Sequence, residues 1–112
     1  MVQYQQELDR TLAALADPTR REILERLGRG DATISELAEP AGISLTGLKK
    51  HVRVLEETGL VSTEKVGRAR RCSLGPRDLG EVERWVQRHR RQMEQRLDRL
   101  AELLERTKGE SQ

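Results

Sequence analysis

Two helix starts and two helix stops follow one another between Thr33 and Gly59, and this punctuation limits the fold more than any other feature of the chain. Thr33-Ile34-Ser35-Glu36 has the form of a capping box, in which the threonine hydroxyl reaches forward to a free backbone N–H and the glutamate reaches back. Leu37 and Ala38 are the inward residues of the short helix it opens. Pro40 with Gly42 is expected to end that helix quickly, because proline cannot continue the hydrogen-bond ladder. Ile43 anchors the turn, and Ser44 caps a second helix that runs to Thr58 and closes on Gly59 as a left-handed C-cap. Two helices joined by a tight glycine-bearing turn make a helix-turn-helix.

The flanking segments add a wing and two further helices. Tyr4 to Ala16 carries Leu8, Leu12 and Leu15 at helical spacing, and Asp17-Pro18 restarts the chain as a helix holding Ile23, Leu24 and Leu27. Arg20 and Arg21 then fall in an opening turn where the helix dipole disfavours cations, so each needs a partner: an internal ion pair, a backbone carbonyl or a DNA phosphate. Val61 to Lys65 and Ala69 to Leu74 read as strands about a Val66-Gly67-Arg68 tip, a hairpin that must pack on the helices to be stable. After the Gly75-Pro76 break, one long helix is expected from Asp78 to Thr107. The fold class is therefore mainly α with a small β-hairpin, a winged helix-turn-helix with a long C-terminal dimerisation helix. In this reading residues 1–107 form a single domain: 1–16 and 78–107 are dimerisation helices, 33–58 the helix-turn-helix and 61–74 the wing, with 108–112 a disordered tail.

Composition explains why a partner is needed. With 35% hydrophobic and 36% charged residues among 112, and no Phe, the core must be aliphatic and thin; a second copy is the usual remedy. The last helix repeats apolar residues three and four apart, and Val86, His89, Met93, Leu97, Leu100 and Leu104, together with Leu8, Leu12 and Leu15 of the first helix, form the expected homodimer interface. No apolar run approaches the roughly 20 residues that span a bilayer, and the N-terminal residues lack the apolar stretch of a signal peptide. A cytoplasmic protein without membrane attachment is expected, in keeping with a lone cysteine, Cys72.

Net charge is only +2, but it is unevenly spread. From Ser44 to Pro76, Lys49, Lys50, Arg53, Lys65, Arg68, Arg70 and Arg71 face only Glu56, Glu57 and Glu64, while the remainder of the chain is slightly acidic. Such a basic island steers a surface toward phosphate. Projected at 100° per residue, Leu45, Leu48, Val52 and Leu55 of the second helix turn to the core, and Thr46, Lys50 and Arg53 turn away from it with Gly47 and Lys49 at the flanks. A bare, cationic leading turn suits entry into the major groove of double-stranded DNA. Thr46 and Lys50 are expected to read bases, and Lys49 and Arg53 to meet phosphates. Ser44, as the cap, belongs to the same surface, and His51 is either a hydrogen-bonded structural residue or a phosphate contact. Lys65, Arg68 and Arg70 around the hairpin tip complete the expected DNA-binding set. The other role open to Gly47 is close helix packing.

ALADPTRREILERL, ISLTGLKKHVRVLEETGLV and EKVGRARRCSL resemble the successive signatures of the ArsR/SmtB family of bacterial winged-helix repressors, over about Leu12 to Leu74. The resemblance implies a homodimer, paired through its first and last helices, that occupies an inverted-repeat operator and is released by a signal. It departs from the metal-sensing members. Where they carry Cys-x-Cys this chain has Ser35-Glu36-Leu37-Ala38, and His89 is the one histidine of the last helix, so no metal site and no cofactor are expected. A small-molecule effector between the dimer helices is left open.

Cys72 is expected to be a small strand residue packed under the wing. The competing role is a redox switch, its pKa lowered by Arg70 and Arg71. Catalysis is not expected, for the sequence has no glycine-rich phosphate loop, metal-ligand cluster, or Ser, His and acid grouping that the fold would unite. From another class, the alternative to a DNA-binding regulator is a dimeric module that uses the winged helix to bind protein or RNA.

Overall fold

The structure, a computed structural model, describes residues 2–110, with side chains placed for residues 5–109. Helix α1 spans Val2–Leu15 and helix α2 spans Pro18–Gly28. Asp17 makes the corner between them. Its backbone is extended, and its Oδ1 accepts the N–H groups of Thr19 and Arg20 at 2.8 and 3.2 Å, with Pro18 following at the first helical position. The two arginines of that opening turn reach back to the end of α1: Arg20 Nε donates to the Ala14 carbonyl at 2.8 Å, and Arg21 Nη1 to the Leu15 carbonyl. Cations disfavoured at the start of α2 are thus favoured at the C-terminal pole of α1, whose free carbonyls they satisfy.

A two-residue strand, β1 (Ala32–Thr33), leads directly into α3 (Ile34–Ala41), and α4 (Leu45–Glu57) follows. The capping box is present in full: Glu36 N–H donates to Thr33 Oγ1 at 3.2 Å, and Thr33 N–H to Glu36 Oε1 at 3.2 Å. Pro40 does not terminate α3. It forfeits one backbone bond in the last turn, and the helix continues to Ala41, where Gly42 turns left-handed (φ 66) and gives its N–H to the Ala38 and Glu39 carbonyls.

Strands β2 (Val61–Val66) and β3 (Ala69–Leu74) form the hairpin, with Val66 opposite Ala69 across a Gly67-Arg68 loop. Gly67 adopts φ 65, which a two-residue loop demands at its first position. The sheet has three strands, because β1 pairs antiparallel with β3, Ala32 against Cys72 and Thr33 against Arg71, in the order β1-β3-β2. Arg71 Nη2 also bonds Asp31 Oδ2 at 2.9 Å, pinning this edge. A backbone bond closes the hairpin base. Gly75 N–H donates to the Leu60 carbonyl at 2.8 Å, and a Cβ on Gly75 would lie 2.3 Å from the Gly59 carbonyl oxygen.

The core is aliphatic but for one thiol: Ala14 of α1, Ile23 and Leu27 of α2, Ala32 of β1, Ile34, Leu37 and Ala38 of α3, Leu48, Val52 and Leu55 of α4, then Leu60, Val61 and Cys72. Leu45, expected inside, is 48% exposed. At the first position of α4 it precedes the turn that enters the core, so the periodicity holds only from Leu48 onward.

The chain divides into two compact units between Leu79 and Gly80. The second is helix α5, Gly80–Glu110, which begins two residues later than the Asp78 expected and continues past Lys108. Residues 108–110 are therefore helical, where the sequence suggested disorder; residues 111 and 112 of that expected tail lie outside the described residues. Glu81 and Glu83 sit in its first turn and Lys108 in its last, each matching the helix dipole. Trp85 and His89, one turn apart, stack with centroids 5.2 Å apart and planes at 7°.

Candidate nucleic-acid interface

The site is built on α4. Ser44 has an extended backbone and its Oγ accepts the Gly47 N–H at 3.1 Å, so the helix begins with one of its free donors satisfied. Leu48, Val52 and Leu55 are buried and fix its roll, which leaves Thr46, Lys49, Lys50 and Arg53 exposed. Gly47 is not a packing glycine. A Cβ there would meet only the Ser44 hydroxyl, at 3.3 Å, with no other element within 4 Å. The bare position therefore opens outward.

His51 lies on the same helix but is half-buried and engaged within the fold. Its Nδ1 is 3.3 Å from Arg20 Nη1 and 4.0 Å from Asp17 Oδ1. Arginine can only donate, so Nδ1 accepts and the ring proton belongs on Nε2. The sequence had left the partners of Arg20 and the role of His51 open; each is part of the other's answer.

The wing brings a second group of cations beside the first. Directly opposed residues share a face in an antiparallel pair, so Thr63, Lys65, Arg70 and Cys72 lie on the core-facing side of the hairpin, and Glu64 and Arg71 on the other. Cys72 fills the core, and beyond it the face continues as Lys65 opposite Arg70, a like-charged pair, toward Arg68 at the tip. Together with Lys49 and Leu45 of α4, Thr33 of β1, and Ile34 and Ser35 of α3, Lys65, Arg68 and Arg70 line a cleft of about 450 Å³. Its lining contains four cations, no acid, and the positive end of α3. Like charges directly across a strand pair are disfavoured, a penalty that a bound anion relieves.

A chain of three side chains, without any signature in the sequence, joins the two halves of this surface. Thr63 Oγ1 donates to Glu56 Oε2 of α4 at 2.7 Å and accepts from Arg70 Nε at 3.2 Å. Arg71, by contrast, is taken up by Asp31, with Glu64 opposite it across the strand pair.

Burial raises the Cys72 thiol pKa; Glu56 adds to this and Arg70 opposes it. Proximity to arginine in sequence pointed the other way, but desolvation outweighs it. Among the described residues no group of three or more His, Cys, Asp or Glu is placed to hold a metal ion.

Of the expected interface positions, Leu8 and Leu15 are half-buried, Leu15 packing against the core of its own unit, and Leu12 is 38% exposed. On α5, Val86, His89, Met93, Leu97, Leu100 and Leu104 are all exposed, Met93 by 50% and Leu104 by 62%.

Residues 15–64 match a helix-turn-helix domain family. The chain is 39% identical over 71 residues to the HTH-type transcriptional regulator Rv2034 of Mycobacterium tuberculosis, a match covering 63% of this chain and 66% of that protein, just under two thirds of its length. It is 30% identical over 79 residues to the transcriptional repressor SdpR of Bacillus subtilis, covering 70% of this chain and 88% of that one. Among solved structures, an ArsR-like transcriptional regulator from Rhodococcus sp. RHA1 superposes with a TM-score of 0.79 at 35% identity, over 94% of this chain and 96% of that one. The homodimeric winged helix-turn-helix DNA-binding domain Mb0332 from Mycobacterium bovis superposes with a TM-score of 0.63 at 25% identity, over 74% and 77%.

Proposed function

Since the chain belongs to the ArsR family of transcriptional regulators, a family of regulators and not of enzymes, we propose that it is a homodimeric repressor of an inverted-repeat DNA operator. Helix α4 enters the major groove, and the β2–β3 wing lies along the adjacent backbone and minor groove. The observation that carries this reading is the pairing of two surfaces: an outward α4 face of Thr46, Gly47, Lys49, Lys50 and Arg53, and an acid-free cleft bounded by Lys65, Arg68 and Arg70.

Thr46 and Lys50 read base edges, Gly47 lets the leading turn approach them, and Ser44 holds that turn in place. Lys49, Arg53, Lys65, Arg68 and Arg70 meet phosphates, which position the protein without carrying sequence information. His51 acts from behind, as a brace to Arg20. The dimer forms through the apolar stripe of α5, with α1 contributing Leu8, Leu12 and Leu15. The stripe would otherwise leave large apolar residues in water, and a relative of this fold is described as homodimeric. Repression is the reading favoured by the Bacillus relative, itself a transcriptional repressor. No helix among the described residues is long and apolar enough to cross a membrane, and the proposed place of action is the cytoplasm, where the operator is.

Duplexes selected by the protein from a random pool, then titrated across a salt series, test this. Affinity should fall steeply with salt, with a log–log slope of about 0.9 per phosphate contacted. Lys50→Ala should relax sequence preference, whereas Arg68→Ala should weaken selected and random duplexes alike. Equal effects of the two substitutions on both duplexes would refute the division of roles, and failure to enrich any duplex would refute the function.

A further inference from the structure

The chain Glu56–Thr63–Arg70 sits where the helix and the wing of the proposed DNA surface meet, and its geometry has a direction. Arg70 uses Nε toward Thr63, while its two terminal nitrogens bond no group among the described residues. Thr63 turns its hydroxyl proton to Glu56 and its lone pair to Arg70, so the threonine stands between a carboxylate and a guanidinium that would otherwise pair directly. A direct pair would occupy the fork of Arg70 and cancel its charge beside Lys65.

We propose that Thr63 is a positioning residue: it ties the wing to the end of α4, keeps Glu56 off the fork of Arg70, and leaves that fork aimed at a DNA phosphate. This inference rests on the DNA-binding reading and adds a residue that touches no DNA itself. Planar, two-nitrogen recognition is what an arginine fork supplies to a phosphate, and it depends on the fork being held in place. Lys65, opposite Arg70, gives the same phosphate a second cation from the partner strand.

The test compares Thr63→Val, Thr63→Ser, Arg70→Gln and the Thr63→Val/Arg70→Gln double variant of the full chain, each titrated with a selected duplex over a salt series. Thr63→Val keeps the side-chain shape and removes the hydroxyl; it should weaken binding about 3- to 10-fold and lower the salt slope by about 1, as Arg70→Gln does. The double variant should lose no more than either single one, because both remove the same contact. Thr63→Ser should behave as the parent. A partly unfolded variant would lower the active fraction without changing the slope, so the slope separates positioning from stability. The inference is overturned if Thr63→Val keeps the parent slope, if the two losses multiply, or if Thr63→Ser loses as much as Thr63→Val. A parent protein that binds no duplex overturns the DNA-binding reading beneath it, a different and recognisable result.

Discussion

Arg20 Nη1 lies 3.3 Å from His51 Nδ1, so the opening turn of α2 is tied to the middle of α4. The same guanidinium holds the Ala13 and Ala14 carbonyls at 3.1 and 2.8 Å through Nη2 and Nε. One side chain therefore closes the end of α1 and braces the helix proposed to enter DNA. Arg20→Met should lower the free energy of unfolding by about 1–3 kcal/mol, because a planar fork serving three acceptors is lost and the carbonyls keep only water. Arg20→Lys should recover only part of this. Urea denaturation measures both, and a Lys variant as stable as the parent would show that charge, not the fork, is what matters.

Gly47→Ala separates stability from recognition. The substitution removes a helix penalty of about 0.5–1 kcal/mol. Against this, the Ser44 hydroxyl must yield slightly to a Cβ at 3.3 Å. Stability should stay within about 1 kcal/mol of the parent. Operator affinity should nevertheless fall about tenfold, since about 1.4 kcal/mol is lost when a methyl group holds the leading turn away from the bases. Thermal melts and duplex titrations on one preparation suffice, and unchanged affinity would remove Gly47 from the interface.

The apolar stripe of α5 makes a direct prediction about assembly. Leu100→Lys or Met93→Lys places a charge in the proposed seam and should yield monomers by sedimentation equilibrium, with operator binding lost alongside, because two recognition helices must meet half-sites about one helical turn apart. A variant that stays dimeric would move the main seam elsewhere.

Acid should release the Asp17 cap at the α1–α2 corner only below the ordinary carboxylate range. The Arg20 backbone N–H above all holds the Asp17 carboxyl below its ordinary 3.8; desolvation, the next largest effect, opposes it, and His51, the Thr19 N–H and the Arg20 charge add to the lowering. A carboxyl with a lowered pKa in the folded state stabilises it above the unfolded value, and that contribution is lost as pH falls through the lowered one. Asp17→Asn keeps the cap without the titration, so its melting temperature should fall less steeply than the parent's below about pH 4. Parallel acid limbs would mean that the cap's charge contributes nothing.

Much of this architecture is legible in the sequence, and the reasons are local. Thr33, Glu36, Ser44 and Gly42 act on backbone groups within four positions of themselves, and Gly67 has one task in a two-residue loop. What sequence reasoning missed depends on neighbours far along the chain. Ala32 and Thr33 are too few to carry an alternation, and they become a strand only because β3 passes beside them. Arg71 finds Asp31 forty positions away, and Thr63 joins Glu56 to Arg70 across a helix and a hairpin. Gly75, read as a chain break, is required for another reason, the close passage of the Gly59 carbonyl.

Cys72 is fully buried on the middle strand, with Ala32 on one side and Thr63 on the other. A thiol so placed meets a small alkylating reagent only when the sheet comes apart, so its labelling rate counts opening events of the native state. The chain carries its own gauge of cooperative opening, readable by mass at a single atom, and any molecule that holds the folded form together should slow that clock.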